Sequence, residues 1–533
     1  MSEAEHESDS GDPRVAVAAD VPARWQAICS ALIWAVGVLA IGLATVKART
    51  GAPTVDEVWS YDGWISRGLG RVWTNYSATN NHIFQNVLGW LGRGLDDSMF
   101  GQRLPSLLGF ALLLLALGQL LRLLRLSPPW RVLVFSLLAL HPYVIDFAAL
   151  ARGYMLVCGL LLLATALLLQ VLTESDLSLR RGAVLRTVAA SVGFGLAMIT
   201  VPVAVRGAFA ACVAFVGILL LARVGWRRLL GFSALLGLPA SVIVLATYLP
   251  LLKSFDKRQL YFGSETFLES VYSAWTLTAY IPQGTLTGGG NPDFAAEVAI
   301  TPWQGDWLPS IVHRVGTAPL YMVIVLGIGL LGLTMILRFR PERRRAVGFL
   351  LVVALLPLLL ISLEHSLLGV RLPLNRTWLP MLLPVLLATY VGVVEIAEAY
   401  QGRERVVGIV VTLALLLPCL LNSVGRIRPT GPYWEWPDFQ ILPAVYAEIL
   451  RDRPEATPCS LTHPWHLGGA MRYLQRQNEW EWIDQERLLP GQAIPDYILY
   501  NEVLADVRVN PALYEVLQEY PEHQTTLYAR RDR

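Results

Sequence analysis

The sequence predicts a polytopic α-helical membrane protein with about 11 transmembrane helices and a small extracytoplasmic α/β domain at its C-terminal end. Charged residues make up 16% of the 533 residues and hydrophobic residues 54%, whereas a soluble domain usually has about 25% charged residues. Apolar stretches of roughly 20 residues, each long enough to cross a hydrocarbon core, recur along the chain. The net charge of +2 gives no indication of a nucleic-acid partner.

The order of apolar stretches and basic loops predicts the topology. Lys and Arg residues cluster in the short loops after the even-numbered spans, as is typical of cytoplasmic loops. The N-terminus is then cytoplasmic, and the outer side holds a loop at about 50–101, a large loop at about 251–316 and the tail after 422. Lys47 and Arg49 follow the first span on the outer side and disagree with this pattern. The predicted spans cover approximately residues 26–46, 104–122, 130–149, 154–172, 187–203, 205–222, 229–250, 317–337, 346–363, 377–395 and 406–422.

Composition divides the chain into three parts. Residues 1–24 are polar and mostly acidic, which predicts a disordered cytoplasmic tail rather than a cleaved signal peptide. Residues 25–422 form the transmembrane domain, and residues 423–533 are rich in Pro, Trp and charge, with no spanning stretch. In this last part we expect an α/β domain, with strands at 459–462, 497–500 and 525–528 and helices at about 464–476 and 511–519.

An acidic pair, Asp56 and Glu57, follows the first span on the outer side. Thr54 and Glu57 match a capping box at the start of a helix, where Asp56 would also favour the positive end of the helix dipole. The capping interpretation is compatible with a catalytic role, because a capped helix start is a rigid place to hold a base. Tryptophans, which prefer the lipid headgroup region, occur in the same loop at Trp59, Trp64, Trp73 and Trp90.

A further helix is predicted from His82 onward, because apolar residues recur there at helical spacing. The stripe is compatible with a helix lying in the membrane interface and with an ordinary surface helix that covers the bundle. Its members are Ile83, Phe84, Val87, Leu88, Leu91 and Leu95.

Ionisable residues of the predicted spans gather at their outer ends. We expect no chain of Asp, Glu or His side chains at mid-depth, as a proton-coupled transporter or pump would need. The bilayer excludes charge, so the position of any one of these residues at the end of a span needs no functional explanation. The set comprises Asp56, Glu57, His82, Arg103, Asp146, Arg152, Arg206, Glu364, His365, Arg371 and Arg376.

Two carboxylates beside several arginines in one leaflet suit a reaction on a lipid-linked phosphosugar. Guanidinium groups match the geometry of phosphate and would stabilise it as a leaving group. A carboxylate could accept the proton of the attacking hydroxyl in an inverting transfer that needs no nucleotide. The chain has no P-loop, no Gly-rich dinucleotide turn and no HExxH motif. Its five cysteines show no metal-binding spacing.

Four short motifs occur in a fixed order on the predicted outer side. They are Val55-Asp56-Glu57; Asn81-His82 leading to Arg103-Leu104-Pro105-Ser106; His141-Pro142-Tyr143 followed by Ala151-Arg152-Gly153-Tyr154; and Asn375-Arg376-Thr377-Trp378-Leu379-Pro380. In these motifs the chain resembles the polyprenyl-phosphate-dependent glycosyltransferases of the GT-C superfamily, which includes protein O-mannosyltransferases and the lipid A aminoarabinose transferase. The resemblance covers roughly residues 25–422 and implies a GT-C-like fold, with a mobile, partly helical cover in the large outer loop.

The resemblance also implies roles for individual residues. Asp56 matches the catalytic carboxylate, and Glu57 its neighbour, which positions the acceptor or the base; we assign both to the catalytic site. Arg152 and Arg376 match basic residues near the donor phosphate, whereas structural roles are equally open for Arg103 and Tyr154. The residues assigned to donor-phosphate or substrate binding are His82, Arg103, Arg152, Tyr154, Arg371 and Arg376.

We predict no cofactor and no metal ion, although some relatives use a divalent cation, for which Asp56, Glu57 and His82 could supply ligands. The expected partners are a polyprenyl-phosphate-linked sugar, a lipid, protein or glycan acceptor, and the bilayer of the plasma (inner) membrane. Three alternatives stay open: a lipid-linked oligosaccharide ligase, a lipid or glycan transporter without covalent chemistry, and a non-catalytic membrane scaffold.

Overall fold

Helices dominate the structure, which is a computed structural model. It describes residues 22–76, 81–174, 176–251, 263–279, 319–339, 341–373, 375–399, 402–427, 441–455, 457–463, 467–478, 480, 482–487, 494–501, 509–521 and 525–531. The predicted disordered tail at 1–24, apart from its last three residues, and most of the large outer loop lie outside the described residues.

The transmembrane domain contains sixteen α-helices within the described residues. They are α1 (Ala23–Thr50), α2 (Val55–Gly63), α3 (Leu69–Thr74), α4 (Ile83–Arg93), α5 (Met99–Leu123), α6 (Pro128–Ala139), α7 (Pro142–Ala148), α8 (Gly153–Leu172), α9 (Arg181–Thr200), α10 (Ala204–Leu221), α11 (Trp226–Leu251), α12 (Phe267–Ala279), α13 (Pro319–Phe339), α14 (Pro341–Leu368), α15 (Leu379–Ala399) and α16 (Gly402–Arg426).

Ten of these helices are long and apolar enough to cross a membrane, and the count rises to eleven when α6 and α7 are taken as one broken span. The two helices are bent by 58° relative to each other. Pro142 explains the break, because proline lacks an N–H, starts helices readily and disfavours a helical conformation at the preceding residue, His141. The predicted polytopic fold with about 11 spans is therefore confirmed.

Helices α5 and α8 cross at two glycines. A Cβ atom on Gly109 would lie 2.4 Å from the Cα atom of Leu156, and one on Gly159 would lie 2.1 Å from the carbonyl oxygen of Gly109. Small residues permit such backbone contact, which is a common way for membrane helices to associate. The hydroxyl of Ser106 donates to the carbonyl of Arg152 at 3.1 Å, so the N-terminal ends of α5 and α8 lie side by side.

Charged groups at the other end of the bundle are paired as well. Arg343 of α14 contacts Glu395 at 2.6 Å and Glu398 at 2.9 Å, both near the C-terminal end of α15. The N–H of Ser127, just before α6, donates to Glu398 at 2.9 Å. The loop after α5 and the first turn of α14, both predicted to be on the cytoplasmic side, therefore meet through Glu398 at the end opposite to Ser106.

One of the two exceptions to the basic-loop pattern, Lys47, has a structural explanation, whereas Arg49 is exposed. Lys47 in the last turn of α1 forms an ion pair of 2.5 Å with Asp146 of α7. Both side chains are almost completely buried. Lys47 is thus a neutralised internal group and adds no positive charge to the surface of the loop.

The apolar stripe on α4 divides between two environments. Ile83 is fully buried, and Phe84 and Leu88 pack against the main core. Leu91 and Leu95 are exposed. The first two turns of α4 therefore cover the bundle, as an ordinary surface helix does, while the apolar residues at its end face outward.

In the described part of the C-terminal domain, two helices, α17 (Leu442–Asp452) and α18 (Gly468–Gln477), accompany a five-stranded mixed sheet. Its strand order is β2-β1-β3-β5-β4; β1 is parallel to β2 and β3, whereas β5 is antiparallel to β3 and β4. The strands are β1 (Cys459–His463), β2 (Ile483–Arg487), β3 (Tyr497–Asn501), β4 (Tyr514–Tyr520) and β5 (Thr525–Arg530). The three predicted strands correspond to β1, β3 and β5, and the first predicted helix to α18.

The helix predicted at 511–519 is wrong, because this segment contains strand β4. Glu515, Gln518 and Glu519 favour helices in isolation. A register shift between Val516 and Gln518 also interrupts the alternation that would reveal a strand. Pairing with β5 overrides the local preference, as tertiary context often does for strands.

Candidate active site

The first turn of α2 is held by a capping box. The Thr54 N–H donates to Glu57 Oε2 at 2.9 Å, and the Glu57 N–H donates to the Thr54 hydroxyl at 3.4 Å. This confirms the capping interpretation of the acidic pair. The two reciprocal bonds satisfy N–H groups that the helix itself leaves open, so the backbone at Asp56 is rigidly placed.

Glu57 is completely buried, and both of its carboxylate oxygens have partners. Oε1 accepts from Arg103 Nε at 2.8 Å and from the Ala151 N–H at 2.6 Å. Oε2 accepts from Arg103 Nη2 at 2.7 Å, in addition to the Thr54 N–H. The carboxylate therefore joins α2, α5 and the turn before α8.

Arg103 is equally buried and uses its whole guanidinium group. Apart from Glu57, it donates to three main-chain carbonyls at and just after the C-terminal end of α1. These carbonyls belong to Ala48 and Gly51, both at 2.8 Å, and to Ala52, at 3.1 Å. A cation is favourable at a helix C-terminus, where carbonyl groups lack helical partners. The geometry thus supports the structural role that the sequence left open for Arg103.

Asp56 faces a different pair of cations. Its Oδ2 atom contacts Arg152 Nη1 directly and lies 3.6 Å from Arg376 Nη2. The side chains of Asp56, Arg152 and Arg376 are 9%, 3% and 12% exposed, so the cluster is largely screened from water. Arg152 is the N-cap residue of α8, and Arg376 lies in a short 3-10 helix, Asn375–Trp378, before α15.

The two neighbouring carboxylates hold two neighbouring residues of the same turn. Glu57 accepts from the Ala151 N–H, while Asp56 pairs with the side chain of Arg152. Glu57 therefore fixes the backbone from which the Arg152 side chain extends. The sequence did not indicate this contact, because it involves a main-chain N–H distant in the chain.

His82 lies beside the cluster as a buried, neutral side chain. Its Nδ1 lies 3.3 Å from the Thr200 carbonyl, which can only accept, so Nδ1 carries the proton. Nε2 has no hydrogen-bond partner among the described residues. Burial lowers the pKa of His82 to about 4; the hydrogen bond to Thr200 opposes this shift, and the charge of Arg376 adds to it. At neutral pH His82 can therefore accept a hydrogen bond but supplies no charge for a phosphate.

Tyr154 is a buried aromatic residue that packs beside His82 and Arg152. Its ring lies edge-on to His82 at 5.5 Å and to Phe147 at 5.8 Å, measured between ring centroids. The Arg152 guanidinium carbon lies 5.9 Å from the centre of the same ring. Tyr154 thus keeps His82 and Arg152 in place.

Arg371 makes its contact elsewhere. It pairs with Glu265 at 2.6 Å, and both side chains are well exposed. Two other members of the outer set, Arg206 of α10 and Glu364 of α14, pair with each other. Of the cations assigned to the donor, only Arg152 and Arg376 form ion pairs with Asp56 among the described residues.

The described residues contain no evident set of metal ligands. No group of three or more His, Cys, Asp or Glu side chains suited to a metal ion occurs in the part of the chain that the structure describes. Asp56 and Glu57, two of the expected ligands, already form ion pairs with arginines.

No known protein-family profile and no curated protein matches the chain. Among solved structures it is similar to ArnT from Cupriavidus metallidurans bound to undecaprenyl phosphate, with 14% identity over 94% of this chain and 97% of that one and a TM-score of 0.46. It is also similar to the Archaeoglobus fulgidus oligosaccharyltransferase in complex with Zn and sulfate, with 16% identity over 82% of this chain and 61% of that one and a TM-score of 0.46. We infer the activity from the side chains of this chain alone.

Proposed function

We propose that this chain is a membrane glycosyltransferase, which moves a sugar from a polyprenyl-phosphate donor to an acceptor hydroxyl at the extracytoplasmic face. One observation carries the proposal: a carboxylate, Asp56, lies between two guanidinium groups, Arg152 and Arg376, that come from distant parts of the chain. The alternation of basic loops supports the outward orientation of this end, with the N-terminus in the cytoplasm and the plasma (inner) membrane as location.

The donor phosphate would bind between Arg152 and Arg376. Guanidinium groups form strong, directional hydrogen bonds to phosphate oxygens. In the structure both arginines are turned to Asp56, so an arriving phosphate would take over contacts that the carboxylate now makes. Asp56 would then be released towards the acceptor when the donor is bound.

Asp56 is the base in this proposal. It accepts the proton of the acceptor hydroxyl while the hydroxyl oxygen forms a bond to the anomeric carbon. The bond between that carbon and the phosphate oxygen breaks on the opposite face, which inverts the configuration. The electron pair leaves with the polyprenyl phosphate, whose charge the two arginines stabilise.

Glu57 acts in this reaction as a positioning residue rather than as a second base. Its oxygens accept four hydrogen bonds from three residues, which leaves them no role in proton transfer. Its effect is to hold α2 and the Ala151–Arg152 turn in register, so that Asp56 faces Arg152.

The decisive experiment compares Asp56→Asn with Asp62→Asn. Both residues lie on α2, but Asp62 is partly exposed and pairs with Arg476 of α18. The purified full chain is tested with a panel of synthetic polyprenyl-phosphate hexoses and pentoses, and release of polyprenyl phosphate is measured with mixed lipid, peptide and glycan acceptors. We expect Asp56→Asn to lose transfer by at least roughly a hundredfold and Asp62→Asn to keep it.

Full transfer by Asp56→Asn would refute the proposed mechanism. An oligosaccharyl lipid in the same panel distinguishes transfer of a single sugar from transfer of a whole glycan. Translocation of the lipid by wild type and Asp56→Asn alike, without release of polyprenyl phosphate, would identify a transporter instead.

A further inference from the structure

We propose that Ser273 of α12 and Asn375 are positioning residues, which place Arg376 for binding the donor phosphate. This inference rests on the proposed function and adds a defined role for the helix of the large outer loop. It follows from a series of hydrogen bonds between that helix and the segment that leads to Arg376.

Leu372 and Pro373, in the segment before Arg376, both form hydrogen bonds with residues at or just before the start of α12. Ser264 and Leu372 exchange two main-chain hydrogen bonds, of 2.9 Å and 2.8 Å. The hydroxyl of Ser270 donates to the Pro373 carbonyl at 2.6 Å. These contacts dock the start of α12 alongside the chain that enters the 3-10 helix.

The contact nearest to Arg376 joins Ser273 to Asn375. Asn375 has a φ of +49°, a left-handed conformation that glycine and asparagine adopt more readily than other residues. Its N–H donates to the Ser273 hydroxyl at 2.6 Å, and that hydroxyl donates to Asn375 Oδ1 at 3.0 Å. One hydroxyl thus engages the main chain and the side chain of the residue that sets the direction of the chain into Arg376.

The buried side of α12 carries several hydroxyl residues in addition to the apolar Leu277. The hydroxyl residues Ser270, Ser273 and Thr276 are buried against the protein. Phe267 and Leu268 in the first turn are 65% and 80% exposed. Exposed apolar residues are expected where a helix meets lipid. Hydrogen bonds from Ser270 and Ser273 attach the buried side of α12 to the segment that leads to Arg376.

The far end of α12 is fixed independently of this segment. The Nε2 atom of His141, at the break between α6 and α7, lies 3.1 Å from the Thr278 carbonyl. Because both ends of the helix are attached, the Ser273 hydroxyl is a fixed point against which Asn375 is held. Loss of this hydroxyl should therefore displace Arg376 without releasing the helix.

The test measures binding of a short-chain polyprenyl phosphate to the full chain in lipid nanodiscs. We expect Ser273→Ala to weaken binding by about five- to tenfold, as loss of one well-placed hydrogen bond does. Ser273→Thr, which keeps the hydroxyl, should restore most of the affinity. The matched control is Ser362→Ala, because Ser362 on α14 only donates to the carbonyl of Leu358 in its own helix.

A double-mutant cycle with Arg376→Gln separates positioning from general stability. If Ser273 acts through Arg376, Ser273→Ala should cause no further loss in the Arg376→Gln background. An equal loss in both backgrounds would overturn the inference, as would wild-type binding by Ser273→Ala while Arg376→Gln binds weakly. Wild-type binding by Arg376→Gln would overturn the proposed phosphate site together with this inference, so the two failures are distinguishable.

Asn375 supplies a second, independent test in the same assay. Asn375→Gly tolerates the positive φ and keeps the N–H that donates to Ser273, so we expect it to bind within about threefold of wild type. Asn375→Val cannot adopt this conformation without strain and should bind at least about tenfold more weakly. Equal affinity of the two variants would contradict the role of the Asn375 backbone.

Discussion

The Glu57 carboxylate and the Arg103 guanidinium form a two-point ion pair in the interior of the protein, at 2.8 Å and 2.7 Å. The remaining contacts of the two groups attach the end of α1, the start of α2 and the turn before α8 to one another. Asp56 is the next residue along α2 and faces the other way, towards Arg152. The acidic pair thus combines one carboxylate that is saturated by Arg103 and main-chain N–H groups with one that faces the guanidinium groups of Arg152 and Arg376.

Removal of one partner of the buried pair should destabilise the protein strongly. For Arg103→Ala we expect a loss of about 3–5 kcal/mol, because the Glu57 charge would stay buried without its partner. The comparison is Arg93→Ala, whose partner Asp97 is 74% exposed and whose pair should contribute about 0–1 kcal/mol. Thermal unfolding in detergent measures both variants. Similar melting temperatures for the two would contradict the structural role of Arg103.

Loss of the Arg152 charge should weaken donor binding. For Arg152→Gln we expect a roughly ten- to hundredfold lower affinity for short-chain polyprenyl phosphate, as for other charge-assisted hydrogen bonds. Arg67→Gln, in the exposed part of the outer loop, is the control. Arg371→Gln should also change the affinity by less than about threefold, because Arg371 pairs with the exposed Glu265. A larger effect at Arg371 than at Arg152 would place the phosphate elsewhere.

The buried, neutral His82 should make stability depend on pH. Its pKa is lowered from 6.5 to about 4 in the folded protein, so the unfolded chain takes up the proton first as the pH falls. The stability is therefore complete above about pH 6.5 and decreases towards pH 4. Between about pH 7.5 and pH 5 a shift of this size corresponds to about 2 kcal/mol.

Thermal unfolding of His82→Gln across the same pH range tests this expectation. The variant should lose less stability on acidification than wild type. An identical pH dependence in both proteins would show that His82 is not the titrating group.

The C-terminal domain should support the helix that carries Asp56. Tyr473 of α18 is buried with Val58 of α2 and Met99 of α5, and its ring lies edge-on to Tyr61 at 5.8 Å. We expect Tyr473→Ala to cost about 3 kcal/mol, as other large-to-small changes in a core do, and to lower transfer because α2 loses its support. Arg476→Ala, which removes only a partly exposed pair with Asp62, is the control. The measurements are thermal unfolding and the transfer assay; unchanged values for Tyr473→Ala would show that the domain does not support α2.

Much of this molecule follows from local properties of the sequence. The apolar stretches determine the spans because each covers a membrane by its own length and hydropathy. Thr54 and Glu57 determine the start of α2 because a capping box closes within four residues. The selection of Asp56, Arg152 and Arg376 as candidates for one site came instead from the resemblance of the outer motifs to those of a known family.

Only the tertiary structure decided how the charges are paired. Asp56 and Glu57 are adjacent in sequence, yet one faces two arginines and the other is saturated by Arg103 and Ala151. Strand β4 and the burial of Lys47 also depend on partners far along the chain. A side chain's own chemistry shows what it can bind, but which partner it has, and how much water remains, are set by segments brought together when the chain folds.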